Sequence, residues 1–97
     1  MSFHVNELER VLVRLYIEKA LLEKGIFAYD SVSKNLYENY ECYLEDCYEH
    51  PEYLTNVLKN LYGNDTRDII LSIKNDLKDF SRYKRIARFL EVLSNNR

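Results

Sequence analysis

The sequence predicts an all-α fold: a compact bundle of about five helices in a single domain. Three observations carry this. Apolar residues recur three and four positions apart through most of the chain, which is the period of a helix face. Two glycines and one proline in 97 residues are too few for a turn-rich β architecture. Those three residues, Gly25, Pro51 and Gly63, also fall between the periodic stretches rather than inside them. The length suits one domain, and 46% apolar residues are enough to build its core.

The first helix is predicted over residues 4–24. Leu8, Val11, Leu12, Leu15 and Leu22 share one face, and Val13, Tyr16, Ile17 and Ala20 form a second apolar arc roughly opposite. Glu7, Arg10, Arg14 and Glu18 make a narrow polar seam with ion-pairing spacings. Gly25 is placed to cap the end. A surface helix normally has a single apolar stripe. Two stripes imply a helix that is central in its domain or shared with another subunit.

Residues 26–30 read as a connector, with Asp30 or Ser31 as N-cap of a second helix over 30–49. Its apolar side is Leu36, Tyr37, Tyr40, Tyr43, Leu44, Cys47 and Tyr48, and Glu38, Glu41, Glu45 and Glu49 form its polar side. His50 precedes a proline and so leaves the helical region, while Pro51 opens a third helix over 51–62. That helix carries Tyr53, Leu54, Val57, Leu58, Leu61 and Tyr62, and Gly63 ends it. A capping turn at Asn64, Asp65 and Thr66 leads to a fourth helix over 65–79, striped by Ile69, Ile70, Ile73, Leu77 and Phe80. Ser81 caps a fifth over 81–94, with Tyr83, Ile86, Ala87, Phe89, Leu90 and Leu93 apolar. Asn95, Asn96 and Arg97 are expected to fray.

Residues 40–54, YECYLEDCYEHPEYL, hold four tyrosines, two cysteines, one histidine and five carboxylates. A zinc site is the first reading to test. Cys42 and Cys47 are five apart, about 140° around a helix axis. Their sulfurs then point to different sides, and only Cys47 and His50 share a face. Structural zinc knuckles use closer cysteines, so no metal is expected. A nucleophilic cysteine is also disfavoured, because the surrounding carboxylates oppose a thiolate. No lysine or arginine lies between Lys34 and Lys59 to offset them. Cys47 reads as a small core residue, and Cys42 as the more exposed of the two. No serine-hydrolase elbow, phosphate-binding glycine loop or zinc-protease motif is present. The remaining reading is a helix with a tyrosine-rich inner face and an acidic outer face. The expectation is a protein that is not an enzyme and carries no cofactor.

Residues 40–77 resemble a small all-helical archaeal family, a Nitrosopumilus-type output domain associated with signalling proteins. The resemblance rests on the H-P-E-Y-L helix start at 50–54 and the L-x-x-L-Y-G end at 58–63. It continues in the I-I-x-x-I-x-x-x-L pattern at 69–77, and about residues 31–80 are covered. It implies an all-helical fold and a regulatory, output-type role, with no catalytic residues to carry over.

Formal net charge is -2, so bulk charge selects no partner. The local distribution is more informative. Arg82, Lys84, Arg85, Arg88 and Arg97 gather after Phe80, against Glu91 alone. Arg82, Lys84, Arg85 and Arg88 are therefore candidate contacts to nucleic acid or another anion, with Tyr83 or Phe89 available to stack on a base. The net negative charge and the short basic run argue against a duplex-binding surface. No apolar run has transmembrane length, and charged residues interrupt the N-terminal apolar stretch. A cytoplasmic setting without membrane attachment is expected.

These observations converge on a non-catalytic regulatory or protein-interaction domain that forms a homodimer. The candidate interface is Val13, Tyr16, Ile17 and Ala20 on the first helix, with Tyr37 and Tyr40 at its edge. The rival assignment covers that arc within one chain, by the fifth helix. The alternative function is a nucleic-acid-binding accessory protein using the basic C-terminal helix.

Overall fold

The computed structural model describes residues 5–95, and the expectations for His4, Asn96 and Arg97 lie outside that range. The described residues form helices and contain no strand, so the fold is all-α. The elements are α1 (Val5–Lys24), α2 (Ile26–Tyr40), α3 (Pro51–Tyr62), α4 (Thr66–Leu77) and α5 (Lys84–Asn95). Short 3-10 segments at Leu44–Tyr48, Gly63–Asp65 and Lys78–Phe80 join them.

One core holds the elements together. Leu54, Val57 and Leu58 of α3 meet Ile69, Ile73 and Leu77 of α4 and Ile86, Phe89 and Leu93 of α5, all buried. In α4 and α5 successive members are three or four residues apart, and in α3 both Val57 and Leu58 lie three or four from Leu54, so each helix turns one continuous stripe inward. Burying a side chain of this size contributes roughly 1.5–3 kcal/mol. Val13, Ile17, Ala20 and Leu21 of α1 and Val32 and Leu36 of α2 complete the cluster.

α1 corrects the first expectation. The arc through Val13, Ile17 and Ala20 is the one that faces the core, at 0–2% exposure. It is covered within the chain, chiefly by the Leu44–Tyr48 segment, α2 and α4, with a smaller contribution from α5. Leu8, Val11, Leu15 and Leu22 point outward instead.

The second helix is also redrawn. Gly25 adopts φ 127, a value that favours glycine, so α2 begins at once and residues 26–30 are helical. Asp30 and Ser31 are interior to it and cap nothing. Its end comes nine residues early. Glu41 takes the left-handed conformation at φ 53, the only described non-glycine residue with positive φ. Glu41 N–H bonds to Tyr37 O at 2.9 Å, and Cys42 N–H to Leu36 O at 3.4 Å, which closes the helix in a Schellman-type turn. The chain then re-enters as the Leu44–Tyr48 segment. There Asp46 Oδ2 accepts from the Tyr43 backbone N–H at 2.8 Å, a local cap.

The remaining signals shift by a few residues. Pro51 stands at the start of α3 after a non-helical His50, as its ring requires. Gly63 N–H bonds to Lys59 O. The turn expected at Asn64, Asp65 and Thr66 is a 3-10 segment at Gly63–Asp65 without a side-chain cap, and Thr66 opens α4. α5 starts at Lys84, three residues after Ser81.

Candidate functional site

The acidic stretch is anchored by α1. Arg10 Nε donates to Glu49 Oε1 at 3.1 Å, and its Nη2 donates to Asp46 Oδ1. Arg14 Nη1 donates to Glu18 Oε2 at 3.1 Å, and its Nε stands 3.8 Å from Glu45 Oε2. Burial opposes the charge on Arg10, but the hydrogen bond and field of Glu49 outweigh it and raise its pKa. The polar seam of α1 is therefore the counter-surface of the Leu44–Tyr48 segment. Glu45, Asp46 and Glu49 are structural, and the outer acidic face predicted for one long helix does not form. Glu38 and Glu41 remain exposed without an ion pair among the described residues.

Both cysteines are withdrawn from solvent. Both are free thiols and buried, Cys42 at 7% and Cys47 at 0% exposure. Burial, and then neighbouring Asp46, push the Cys42 thiol up. Burial drives the Cys47 thiol much further up. His50 stacks on Tyr53 with centroids 4.6 Å apart, and its Nδ1 is 3.5 Å from Glu52 Oε1. Among the described residues no three histidine, cysteine, aspartate or glutamate side chains converge on a point that would hold a metal.

The sequence did not single out a buried polar pair at the α1–turn junction. Glu9 and Tyr48 are each 4% exposed and face one another beside Arg85, with no hydrogen bond of full geometry at Glu9 Oε1 or the Tyr48 hydroxyl among the described residues. Burial, then the Glu9 carboxylate, raises the Tyr48 pKa to about 12, and Arg85 acts in the opposite direction. A groove of about 770 Å³ runs between α3, α4 and α5, lined in part by Lys59, Thr66, Arg67, Ile70 and Lys74. It contains no histidine or cysteine.

The six residues proposed as an interface do not form one surface. Val13, Ile17 and Ala20 are core, and Tyr16 is half-buried against Phe80, with ring centroids 6.1 Å apart. Tyr37 is exposed beside Tyr43, and Tyr40 stacks on Tyr53 at 4.1 Å. What α1 does expose is its other stripe, with Leu8 at 44%, Val11 at 44%, Leu15 at 48% and Leu22 at 45%. Ile26 and Phe27 follow at the start of α2, Phe27 at 84%. Ion pairs border this stripe: Arg14–Glu18 on one edge, and Lys19–Glu23 with Lys19–Asp76 on the other.

The basic residues of α5 and of the turn just before it are placed as expected on the surface. Arg82, Lys84, Arg85 and Arg88 are exposed, and none pairs with a carboxylate among the described residues. Arg82 lies over the Tyr83 ring, 5.2 Å from its centroid. Phe89 is fully buried and is not available to stack on a base. No described helix is long and apolar enough to cross a membrane.

Compared with known proteins, the chain matches no family model, no curated protein and no solved structure.

Proposed function

We propose that this chain is a non-catalytic protein-interaction domain of regulatory, output type that self-associates through the outward stripe of α1. One observation carries the reading: Leu8, Val11, Leu15 and Leu22 lie on one helix face and are each nearly half exposed. Isolated exposed apolar residues are ordinary, but a contiguous row is an interaction surface. The spacing 8, 11, 15, 22 follows the three-and-four rhythm of a helix-pairing seam.

The rim points to a second copy as the partner. Its charges are already paired within the chain, through Arg14–Glu18 and Lys19–Glu23. An approaching surface therefore meets mainly apolar area beside Leu15 and Leu22, with exposed Glu7, unpaired among the described residues, at the N-terminal edge. The same stripe on another copy matches that apolar area, and a two-fold interface is self-complementary in this way. The cytoplasm is the compartment this proposal assigns.

The test is molar mass by light scattering across a concentration series. The wild type should rise toward twice the monomer mass, and Leu15→Glu should return it to monomer while keeping the thermal melt that the wild type shows at low concentration. A wild type that stays monomeric throughout the series would overturn the proposal.

A second reading uses α5. Lys84, Arg85 and Arg88 of α5, with Arg82 just before it, are exposed and have no carboxylate partner among the described residues, which suits them to phosphates as a nucleic-acid accessory. It requires retention on immobilised single-stranded nucleic acid that weakens with salt and is lost in Arg85→Glu with Arg88→Glu. Absence of retention at low salt removes this reading.

A further inference from the structure

We propose that the groove between α3, α4 and α5 binds a small phosphate ester, with the phosphate among Lys59, Arg67 and Lys74 and the body on Ile70, Leu71 and Leu93. It does not depend on self-association through α1 or on the cations of α5, because it rests on a different surface.

The groove has a volume of about 770 Å³, within the range of small-molecule sites. Arg67, Ile70, Leu71 and Lys74 follow the spacing of one helix face, so α4 sets a cation at each end of a short apolar floor. Lys59 of α3 and Leu93 of α5 line the groove from the neighbouring helices. Arg67 and Lys74 are two turns apart, and both side chains are long enough to meet over a phosphate placed between them.

Two observations point to an anion. The first is charge. Three cations line the groove against one carboxylate, Asp68, in a chain whose net charge is -2. Neither Arg67 nor Lys74 has a carboxylate partner among the described residues. The second is independent of charge. Thr66 lines the same groove and is 4% exposed, and its Oγ1 has no hydrogen-bond partner among the described residues. A buried hydroxyl left unpaired is unfavourable, and a ligand oxygen in the groove supplies the missing acceptor. Thr66 is also the first residue of α4, the end at which a helix dipole favours negative charge.

The chemistry of these groups selects the ligand. A guanidinium bonds two phosphate oxygens with its planar fork, lysines add point charges, and a further oxygen remains for the hydroxyl. Ile70, Leu71 and Leu93 offer only apolar contact, which inorganic phosphate cannot use. The ligand is therefore an ester whose body is apolar, either a nucleoside or an alkyl chain.

The experiment is titration of the full chain with inorganic phosphate, a nucleoside monophosphate and hexyl phosphate, followed by calorimetry and amide shifts. At least one ester should bind saturably and more tightly than inorganic phosphate, moving amides at residues 63–74. The tighter ester identifies the body. Arg67→Gln with Lys74→Gln should weaken binding at least about tenfold, whereas Arg85→Glu with Arg88→Glu should leave it unchanged. Thr66→Val should weaken binding too, yet the free variant should melt no lower than the wild type, because valine removes an unpaired hydroxyl. A residue with a merely structural role would not give that combination. A circular-dichroism melt confirms that each variant is folded. Absence of saturable binding by either ester would overturn the proposal, as would inorganic phosphate binding as tightly as both. Undiminished affinity in the Arg67 and Lys74 variant or in Thr66→Val would overturn it as well. Loss of binding in the Arg85 and Arg88 variant would assign the phosphate to α5 and overturn it too.

Discussion

Arg10 on α1 donates from Nε to Glu49 Oε1 at 3.1 Å, across 39 residues of sequence. The same guanidinium holds Asp46, which also caps the turn at Tyr43. The acidic stretch is therefore a docking strap for α1 rather than a free pole. Arg10→Ala should destabilise the chain by about 1 kcal/mol, the upper range for partly exposed ion pairs. Asp46→Ala should cost more, about 1–2 kcal/mol, because the cap is lost as well. Urea unfolding of the two variants and their double mutant checks this. The double mutant should cost less than the sum of the singles, because both remove the same contact.

Glu41 sits at φ 53, where a side chain beyond the backbone is unfavourable. A left-handed residue other than glycine costs roughly 1–2 kcal/mol. Glycine relieves that strain but gives part back through the greater freedom of the unfolded chain. Glu41→Gly should therefore raise stability by about 0.5–1 kcal/mol and raise the melting temperature. A lower melting temperature in calorimetry would contradict this account of the turn.

This residue also shows why the second helix was misread. Helix ends were legible where glycine or proline marked them, as at Pro51 and Gly63. Glu41 carries no such mark, and the three-and-four spacing of Tyr37, Tyr40, Tyr43, Leu44 and Cys47 runs through the break undisturbed. At the other end, Ile26 and Phe27 stay exposed, so no burial pattern announced the first turn of α2. On α1 the periodicity identified a helix with two apolar arcs but held no information about which one the rest of the chain would cover. The counter-ions of the acidic stretch were hidden for a related reason: Arg10 pairs with residues 36 and 39 positions away. The buried centres of the α3, α4 and α5 stripes were legible because each helix has a single apolar side, although Leu61 turns outward and Phe80 falls beyond the end of α4.

Glu23 links α1 to α4. Ser72 Oγ donates to its Oε1 at 2.8 Å, and Lys19 Nζ to its Oε2 at 3.3 Å, and these hold its pKa below the usual carboxylate range. A carboxylate with a depressed folded-state pKa binds fewer protons than it does when unfolded. Its contribution is full above the unfolded value of about 4.5 and disappears as pH falls through the lower folded value. Urea midpoints should therefore decline on acidification below that point. Glu23→Gln should flatten the decline and leave the rest of the acid transition in place.

Cys42 and Cys47 should be silent toward a thiol reagent in the native state. Both are buried, and both thiols are pushed up, so little thiolate is present or accessible. Ellman titration should count neither cysteine before denaturant and both after it. Rapid native labelling of Cys42 would show that the Glu41 turn opens readily.

The two faces of α1 give the sharpest stability contrast. Ile17 is fully buried, and Leu15, two residues earlier, is 48% exposed. Truncating Ile17 to alanine removes packed methyl and methylene groups and leaves a cavity, which costs about 2–5 kcal/mol. Truncating Leu15 to alanine removes no packed core atoms and raises helix propensity slightly, so the monomer should change by less than about 0.5 kcal/mol. Measured by urea unfolding at low concentration, where association is absent, Ile17→Ala should lose most of the stability of so small a domain. At high concentration the ordering of interest changes: Leu15→Ala should then lose the concentration-dependent gain in melting temperature that the wild type shows, because binding between folded copies stabilises them by mass action. A larger loss for Leu15→Ala than for Ile17→Ala at low concentration would mean that α1 is turned the other way.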